Sequence, residues 1–344
     1  MTWHPLTWAF WTAALTGILL YGLAAVRAMD LFLNWDPDRA DIHQLRREHR
    51  AEIASLLAQG SFMALAAAAA LGLIGVAMVW HPVVPGAMCG TGVLQAMEPY
   101  GRRAMLFWGL GLMVFYAWQV LDRLNRSHPG NVATRSAGRM LITAAPLLVL
   151  AVYYSWQALM HVAAVPAVSC CAAIYDRILA APADSAGSSR LIALAFFGHL
   201  TGGITLLVLA ALAVRLPGRV PGGVITALAV TWSVAASVAV KQVWSPYHYQ
   251  VLSHPCPWCL FLPDAYGVGF IVFGCVVVIV MEAVAFWTAD RVCRQHPQLF
   301  EAAAIRRRRS AGRIICALIG FAIASAGPAI FWRLNTGIWL KAFF

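Results

Sequence analysis

The residues best suited to chemistry in this chain are two cysteines, Cys256 and Cys259, which are separated by Pro257 and Trp258. Thiols three positions apart can close a small, reversible disulfide ring, and the thiolate is the form that attacks a disulfide or binds a metal. The pattern predicts that the pair opens a helix, where the first amides stabilise an anionic sulfur. The first cysteine of such a pair is usually the exposed one, so Cys256 is expected to attack and Cys259 to resolve the mixed disulfide.

Three further cysteines are predicted on the same side of the membrane as this pair: Cys89, Cys170 and Cys171. Adjacent cysteines bridge each other only through a strained peptide, because ordinary disulfides need Cα atoms about 4.4–6.8 Å apart. Three interpretations are open for Cys170 and Cys171: a lasting bridge to Cys89 with exchange at Cys256 or Cys259, a shared soft metal, or a purely structural disulfide. The remaining cysteines are expected in the cytoplasm or within spans: Cys275, Cys293 and Cys316.

Histidine and aromatic residues add a second set of predictions. His254 precedes the cysteine pair by two residues and is the predicted base or charge partner of the first thiol. His161 and His199 fall inside predicted spans, where an imidazole is costly and indicates function. A quinone would need an aromatic cleft near the membrane interface. Trp258 and Phe261 are predicted to line it, and His161 and His199 are predicted to contribute to cofactor binding.

Metal handling and haem binding are the alternative interpretations. Cysteine together with histidine suits Cu(I), Zn(II) or Hg(II). The predicted metal ligands are Cys256, Cys259, His254 and His81. A b-type haem between His161 and His199 is a further alternative, whereas the sequence has no Cys-x-x-Cys-His motif for covalent haem attachment. A non-catalytic subunit that anchors a redox partner in the membrane is the last alternative.

The composition indicates a polytopic membrane protein. Hydrophobic residues make up 61% of the 344 residues and charged residues 11%, and the mean hydropathy is +0.72. A helix crosses the bilayer core with about 20 apolar residues, and helices satisfy their own backbone groups there. The prediction is an all-α fold of about eight transmembrane helices, at residues 7–29, 60–80, 104–121, 140–164, 190–214, 222–243, 266–287 and 313–333.

Lysine and arginine residues predict the orientation of these helices. Of the 25 such residues, 18 fall in loops that follow odd-numbered spans, including Arg306 to Arg309, and 6 fall on the opposite side. Because positive charge marks cytoplasmic loops, both termini are predicted on the outer face of a bacterial-type inner membrane. The net charge of +11 is explained by anionic head groups, so the lipid bilayer is the predicted partner and nucleic acid is not. Residues 37–54 carry both charge signs and predict a short surface helix.

A weak internal repeat surrounds the cysteines. Val79-Trp80-His81-Pro82 and Val243-Trp244-Ser245-Pro246 each lead to a cysteine segment and then to Tyr-Gly at the head of a span, so that Cys89 matches Cys256. Since both copies run in the same direction, they indicate a parallel four-plus-four duplication with its axis along the membrane normal. The predicted organisation is a four-helix half at 1–165, an outer connecting loop at 166–189 and a second four-helix half at 190–344.

A Cys-x-x-Cys at the head of a span, with cysteines in another outer loop, resembles the vitamin K epoxide reductase and DsbB group of membrane thiol–quinone oxidoreductases. The resemblance implies that Cys256 and Cys259 face a quinone and that Cys170 or Cys171 relays electrons from a soluble, thioredoxin-like partner. Eight spans, adjacent loop cysteines and the lack of a basic residue in the stretch after Cys259 depart from that group. The predicted function is electron exchange at this outer-face cysteine pair.

Overall fold

The structure is a computed structural model that describes residues 4–36, 41–162, 186–216, 218–250 and 256–339. These residues form helices and turns, and no strand occurs among them, which confirms the all-α prediction. Eight of the helical stretches are long and apolar enough to cross a membrane, and each coincides with one of the eight predicted spans. The chain is therefore a multi-pass membrane protein.

The described α-helices are α1 (Pro5–Asn34), α2 (Ile42–Ile74), α3 (Gly90–Ala96), α4 (Tyr100–Asn125), α5 (Thr134–Val162), α6 (Ala186–Arg215), α7 (Gly222–Ala239), α8 (Ser245–Tyr249), α9 (Val268–Gln295) and α10 (Phe300–Thr336). The π-helical turns are Gly75–Val79 and Val240–Trp244. The 3₁₀ turns are His81–Val83, Pro257–Phe261, Pro263–Ala265 and Pro297–Leu299. Of the predicted connecting loop 166–189, residues 166–185 lie outside the described ranges.

Two charged segments belong to long helices instead of loops. Residues 42–54, predicted to lie in a separate surface helix, are the first turns of α2. The Asp41 carboxylate caps this helix by accepting a hydrogen bond from the Gln44 amide at 2.8 Å, and no glycine or proline interrupts residues 42–59. Arg306 to Arg309 likewise lie within α10. Both helices thus extend beyond the roughly 20 residues that a bilayer core requires.

The chain divides into two compact units, of which unit 1 comprises residues 1–85, 93–168 and 288–305 as far as they are described. Its helices are joined by buried polar contacts. The Ser55 hydroxyl donates to the Asp122 carboxylate at 2.7 Å, and the Asn125 side chain contacts the Ala133 amide at 2.7 Å and the Thr134 hydroxyl at 2.9 Å. These bonds satisfy polar groups that apolar surroundings would otherwise leave without partners.

Unit 2 comprises residues 86–92, 169–287 and 306–344 as far as they are described. Its core contains the fully buried Trp232, Leu260, Ile279 and Phe321. The indole of Trp232 donates to the His199 carbonyl oxygen at 3.1 Å and so joins α7 to α6. Leu260 comes from the turn that carries Cys259, which anchors this turn in the core of the unit.

One buried carboxylate in unit 2 holds two arginines. Glu282 on α9 contacts Arg306 at 2.9 Å and Arg313 at 2.7 Å, and its own side chain is only 5% exposed. A carboxylate inside a span is costly unless it is paired. The guanidinium groups of Arg306 and Arg313 pair with this carboxylate, and the two ion pairs hold the arginine-rich end of α10 against α9.

The two π-helical turns occur at corresponding positions of the predicted repeat. The Trp80 amide donates to the Gly75 carbonyl at 2.8 Å, and the Ser245 amide donates to the Val240 carbonyl. Each turn is followed closely by a proline, Pro82 or Pro246, which cannot donate a backbone hydrogen bond. Single π turns of this kind occur as bulges at the ends of or within α-helices. The duplication and the two four-helix halves stay predictions.

Candidate functional site

Three cysteines of unit 2 form the thiol cluster, which consists of Cys89, Cys256 and Cys259. Their Sγ atoms all lie within 4.8 Å of one another, and the Sγ atoms of Cys89 and Cys256 are 3.6 Å apart. None of the three is in a disulfide. Among the described residues, no histidine or carboxylate joins this group. Within the described part of the chain, the candidate ligand atoms of the cluster are therefore these three sulfurs.

The Cys256–Cys259 pair lies in a short turn and does not open a long helix as the sequence predicts. Pro257–Phe261 is a 3₁₀ turn in which the Cys259 amide donates to the Cys256 carbonyl at 3.3 Å, and the spanning helix begins only at Val268. Pro263 explains the difference, since the residue before a proline avoids the helical conformation and Leu262 is extended. The amides of the spanning helix consequently do not stabilise the Cys256 sulfur.

Aromatic side chains pack the Pro257–Phe261 turn against α9. The ring of Phe261 is stacked on Phe273, with 5.6 Å between centroids, and meets the edge of Phe270 at 4.9 Å. Gly269 makes this possible, because a Cβ atom there would lie only 2.9 Å from the Phe261 ring. The Trp258 ring lies 5.5 Å from Phe261. The backbone of the cysteine pair is thus attached to the core through the residue two positions beyond it.

Cys89 reaches the cluster from a segment 167 residues earlier in the chain than Cys256. Its carbonyl accepts a hydrogen bond from the Gly92 amide at 3.0 Å, at the beginning of α3. The Thr91 hydroxyl in this segment lies 3.3 Å from the Cys256 Sγ. Residues 86–92 therefore supply both a thiol and a hydroxyl to the same sulfur atom.

The thiols of Cys256 and Cys259 differ in acidity. Hydrogen bonds from the thiols of Cys259 and Cys89, and from the Thr91 hydroxyl, hold the pKa of Cys256 far below its ordinary value, against the opposing effect of burial. The pKa of Cys259 is raised, because its hydrogen bonds to Cys256 and Cys89 favour the protonated form and burial acts in the same direction. Cys256 is consequently the more acidic of these two thiols.

The solvent exposure of Cys256 and Cys259 is the reverse of the prediction. Cys256, expected to be the exposed attacking thiol, is only 3% exposed, and Cys89 is 1% exposed, whereas Cys259 is partly exposed. The reason is that Cys256 faces the segment with Cys89, and its carbonyl accepts a hydrogen bond from the Tyr249 hydroxyl at 2.9 Å. An external molecule can reach the cluster most directly through Cys259.

The histidines predicted to bind a cofactor belong to different units of the chain. His199 on α6 is 7% exposed, and its Nδ1 has no hydrogen-bond partner among the described residues. Its ring lies 5.5–6.4 Å from four aromatic rings of unit 2, which are those of Phe196, Trp232, Trp244 and Phe321. His161 ends α5 in unit 1, with its ring 5.7 Å from that of Tyr100. His81 lies in the His81–Val83 turn of unit 1.

Several predicted residues fall outside the described ranges, namely Cys170, Cys171 and His254, and their roles stay predictions. Two residues that contact Cys256 had no sequence signal of their own: Thr91 and Tyr249. Two patterns point to the 86–92 segment, which are the predicted topology that places Cys89 on the same side as the pair and the repeat that matches Cys89 with Cys256.

Comparison of the chain with protein-family models, with curated proteins and with solved structures gives no match. Functional conclusions are therefore drawn from the thiol cluster and its surroundings.

Proposed function

We propose that this membrane protein carries out thiol–disulfide exchange at the thiol cluster. The observation that supports the proposal is the contact of 3.6 Å between the Sγ atoms of Cys89 and Cys256, with Cys259 within 4.8 Å of both. Sulfur atoms in contact need to approach by less than about 2 Å to reach the disulfide bond length. Any disulfide within the cluster leaves a third sulfur beside it.

The cluster has the components that exchange requires, which are a thiolate, an accessible sulfur and a sulfur that can leave. Cys256 is the thiolate, because its neighbours donate hydrogen bonds to it. Cys259 is the accessible sulfur. Cys89 is the third sulfur, and it lies close enough to Cys256 to form or release a bond with it.

A soluble, thioredoxin-like dithiol or disulfide protein on the outer face is the proposed partner, as the resemblance to thiol–quinone oxidoreductases implies. The same resemblance implies a quinone, for which Trp258 and Phe261 are the predicted aromatic contacts. Phe261 is 5% exposed and its ring packs on Phe270 and Phe273. Trp258 beside the cluster is only partly buried.

Thiol counting tests the proposal. A full-length chain in lipid nanodiscs retains only the cluster thiols, with serine at Cys170, Cys171, Cys275, Cys293 and Cys316. After equilibration in glutathione redox buffers, denaturation and labelling with a mass-tagged maleimide, reduced protein should carry three labels and oxidised protein one. Three labels under every buffer would refute exchange at the cluster. The same titration of the unsubstituted chain and of Cys316→Ser serves as the control. Both should change from the reduced to the oxidised state at the same glutathione ratio as the three-thiol chain.

Binding of one soft metal ion is the second candidate function, and the mutual distances of the three sulfurs favour it. Two thiolates on one ion with metal–sulfur bonds of about 2.3 Å lie roughly 3.8–4.6 Å apart. The Sγ atoms of Cys89 and Cys256 are 3.6 Å apart, and all three sulfurs lie within 4.8 Å of one another. Three thiolates favour Cu(I) or Hg(II) over harder ions.

Titration of the reduced three-thiol chain with Cu(I) under anaerobic conditions separates the two functions. The metal function predicts one ion per chain and a similar loss of affinity when any one of the three cysteines is replaced by serine. Stoichiometric Cu(I) binding together with three labels in every glutathione buffer would replace the exchange proposal by the metal one.

A further inference from the structure

The three sulfurs of the thiol cluster occupy unequal positions. Cys256 contacts Cys89 at 3.6 Å and Thr91 at 3.3 Å and is joined to Cys259 through the turn. Cys89 and Cys256 are 1% and 3% exposed, whereas Cys259 is partly exposed. Cys256 can therefore pair with either neighbour, but only Cys259 is open to a partner.

We propose that Cys259 is the sulfur that reacts with the external partner and that the stored disulfide of the oxidised protein joins Cys89 to Cys256. This inference rests on the proposed function. The partner is a soluble protein or small molecule that carries a disulfide in one direction and a dithiol in the other. The order of the two cysteines is thus the reverse of the usual one, in which the first is exposed.

The exchange proceeds in three steps, in which Cys259, Cys256 and Cys89 attack in turn. Cys259 attacks one sulfur of the partner disulfide, which forms a mixed disulfide, and its thiol proton passes to the first partner sulfur, which leaves as a thiol. The Cys256 thiolate attacks Cys259, closes the Cys256–Cys259 disulfide and releases the second partner thiolate. The second partner thiolate takes up a proton from water, so the partner gains two electrons and two protons, while the cluster loses two electrons and the single proton of Cys259.

The last step moves the disulfide inward without further oxidation. The Cys89 thiolate attacks the Cys256 sulfur, the Cys89–Cys256 bond forms, and Cys259 leaves as a thiolate that takes up the proton given up by Cys89. The contact of 3.6 Å between the Cys89 and Cys256 sulfurs places the attacking atom next to its target. Cys259 is then a thiol again and can meet the next partner.

Burial gives this order a functional consequence. A Cys89–Cys256 disulfide has both sulfurs at 3% exposure or less, so soluble reductants do not reach it directly. Reduction has to pass through Cys259, which attacks Cys256 from within the chain. The oxidised cluster is therefore protected from small thiols and remains open to a partner that engages Cys259.

Disulfide mapping tests the inference on the full-length, unsubstituted chain in nanodiscs, oxidised with glutathione disulfide and blocked with N-ethylmaleimide. Peptide mass spectrometry should find Cys89 linked to Cys256 and the maleimide on Cys259. A Cys256–Cys259 disulfide as the main product, with Cys89 alkylated after unfolding, would overturn the inference and leave the proposed function intact. Absence of any disulfide within the cluster would overturn both.

Trapping of glutathione adducts provides a second measurement. Cys256→Ser removes the resolving thiol, so glutathione should accumulate on Cys259, whereas Cys259→Ser should carry about tenfold less adduct because Cys256 is buried. Equal adduct in the two variants, or more in Cys259→Ser, would contradict the assignment. Cys316→Ser is the matched control, and gel filtration of each variant verifies that it is folded.

Discussion

Replacement of Thr91 by valine tests the hydrogen bond that supports the Cys256 sulfur. The Thr91 hydroxyl lies 3.3 Å from this sulfur and is the only contact to it from the described residues, apart from the two cluster thiols, that contributes a side-chain hydrogen bond to its low pKa. Valine keeps the shape of threonine and removes the hydroxyl. The substitution should therefore destabilise the Cys256 thiolate, which exists only in the reduced cluster.

The expected magnitude follows from the geometry. A hydrogen bond to a charged group contributes about 1.5–3 kcal/mol, and the low end applies because Thr91 is only partly buried. For a two-electron couple, 1.4 kcal/mol corresponds to about 30 mV. Since the bond stabilises the reduced state, its loss should move the midpoint potential of the cluster to more negative values by roughly 30 mV.

The assay is the glutathione titration with mass-tagged maleimide, applied to the three-thiol chain. Thr91→Ser keeps the hydroxyl and should keep the potential. Thr231→Val is the matched control, because the Thr231 hydroxyl donates only within its own helix, to the Ala227 carbonyl at 3.0 Å and the Leu228 carbonyl at 3.1 Å. An unchanged potential for Thr91→Val, or a shift to positive values, would refute the role assigned to this hydroxyl.

Three further variants test the packing and the topology. Gly203→Ala places a Cβ atom 3.0 Å from the Trp232 Nε1 and should lower the free energy of unfolding by about 1–3 kcal/mol in a detergent unfolding assay. Glu282→Gln removes the carboxylate that pairs with Arg306, whose side chain is 16% exposed, and should cost about 2–3 kcal/mol in the same assay, somewhat less than a fully buried pair. Arg309→Cys should resist a membrane-impermeant maleimide in intact cells, because positive charge marks the cytoplasmic side.

Each of these variants has a matched comparison. Gly198→Ala has no neighbour closer than 3.9 Å and should leave unfolding unchanged. Asp30→Asn breaks a pair with Arg50 whose side chains are 31% and 56% exposed, so it should cost less than about 1 kcal/mol. Leu334→Cys, at the opposite end of α10, should react with the maleimide. Equal behaviour within any of these comparisons would contradict the corresponding contact or the orientation.

Hydropathy predicted the eight spans because a helix that crosses the bilayer needs about 20 apolar residues, and such runs are visible in the sequence. It did not predict where the helices end. Residues 42–54 and Arg306 to Arg309 are charged, and hydropathy assigns them to loops or surface segments, yet they continue α2 and α10. Helix length beyond the membrane depends on caps such as Asp41 and on pairs such as Glu282–Arg306, which involve local geometry or distant residues.

The thiol cluster was only partly visible in the sequence. The spacing of Cys256 and Cys259 identified the pair, and the predicted topology put Cys89 on the same side of the membrane. Which sulfur is buried could not be read from spacing, because it depends on a segment 167 residues away. It also depends on the seating of Phe261 against Gly269. The exposure of one sulfur atom depends on the tertiary structure, so the spacing of residues in the sequence does not predict it.

Direct transfer between the cluster and a dithiol protein is the measurement that tests thiol–disulfide exchange most directly. Oxidised three-thiol chain in nanodiscs is mixed with reduced thioredoxin, quenched with acid, and both proteins are counted for thiols. Exchange predicts that each chain gains two thiols while one thioredoxin loses two, and that the Cys256→Ser chain gives no such transfer. Thioredoxin that stays reduced beside the oxidised chain, or equal transfer to Cys256→Ser, would contradict the proposal.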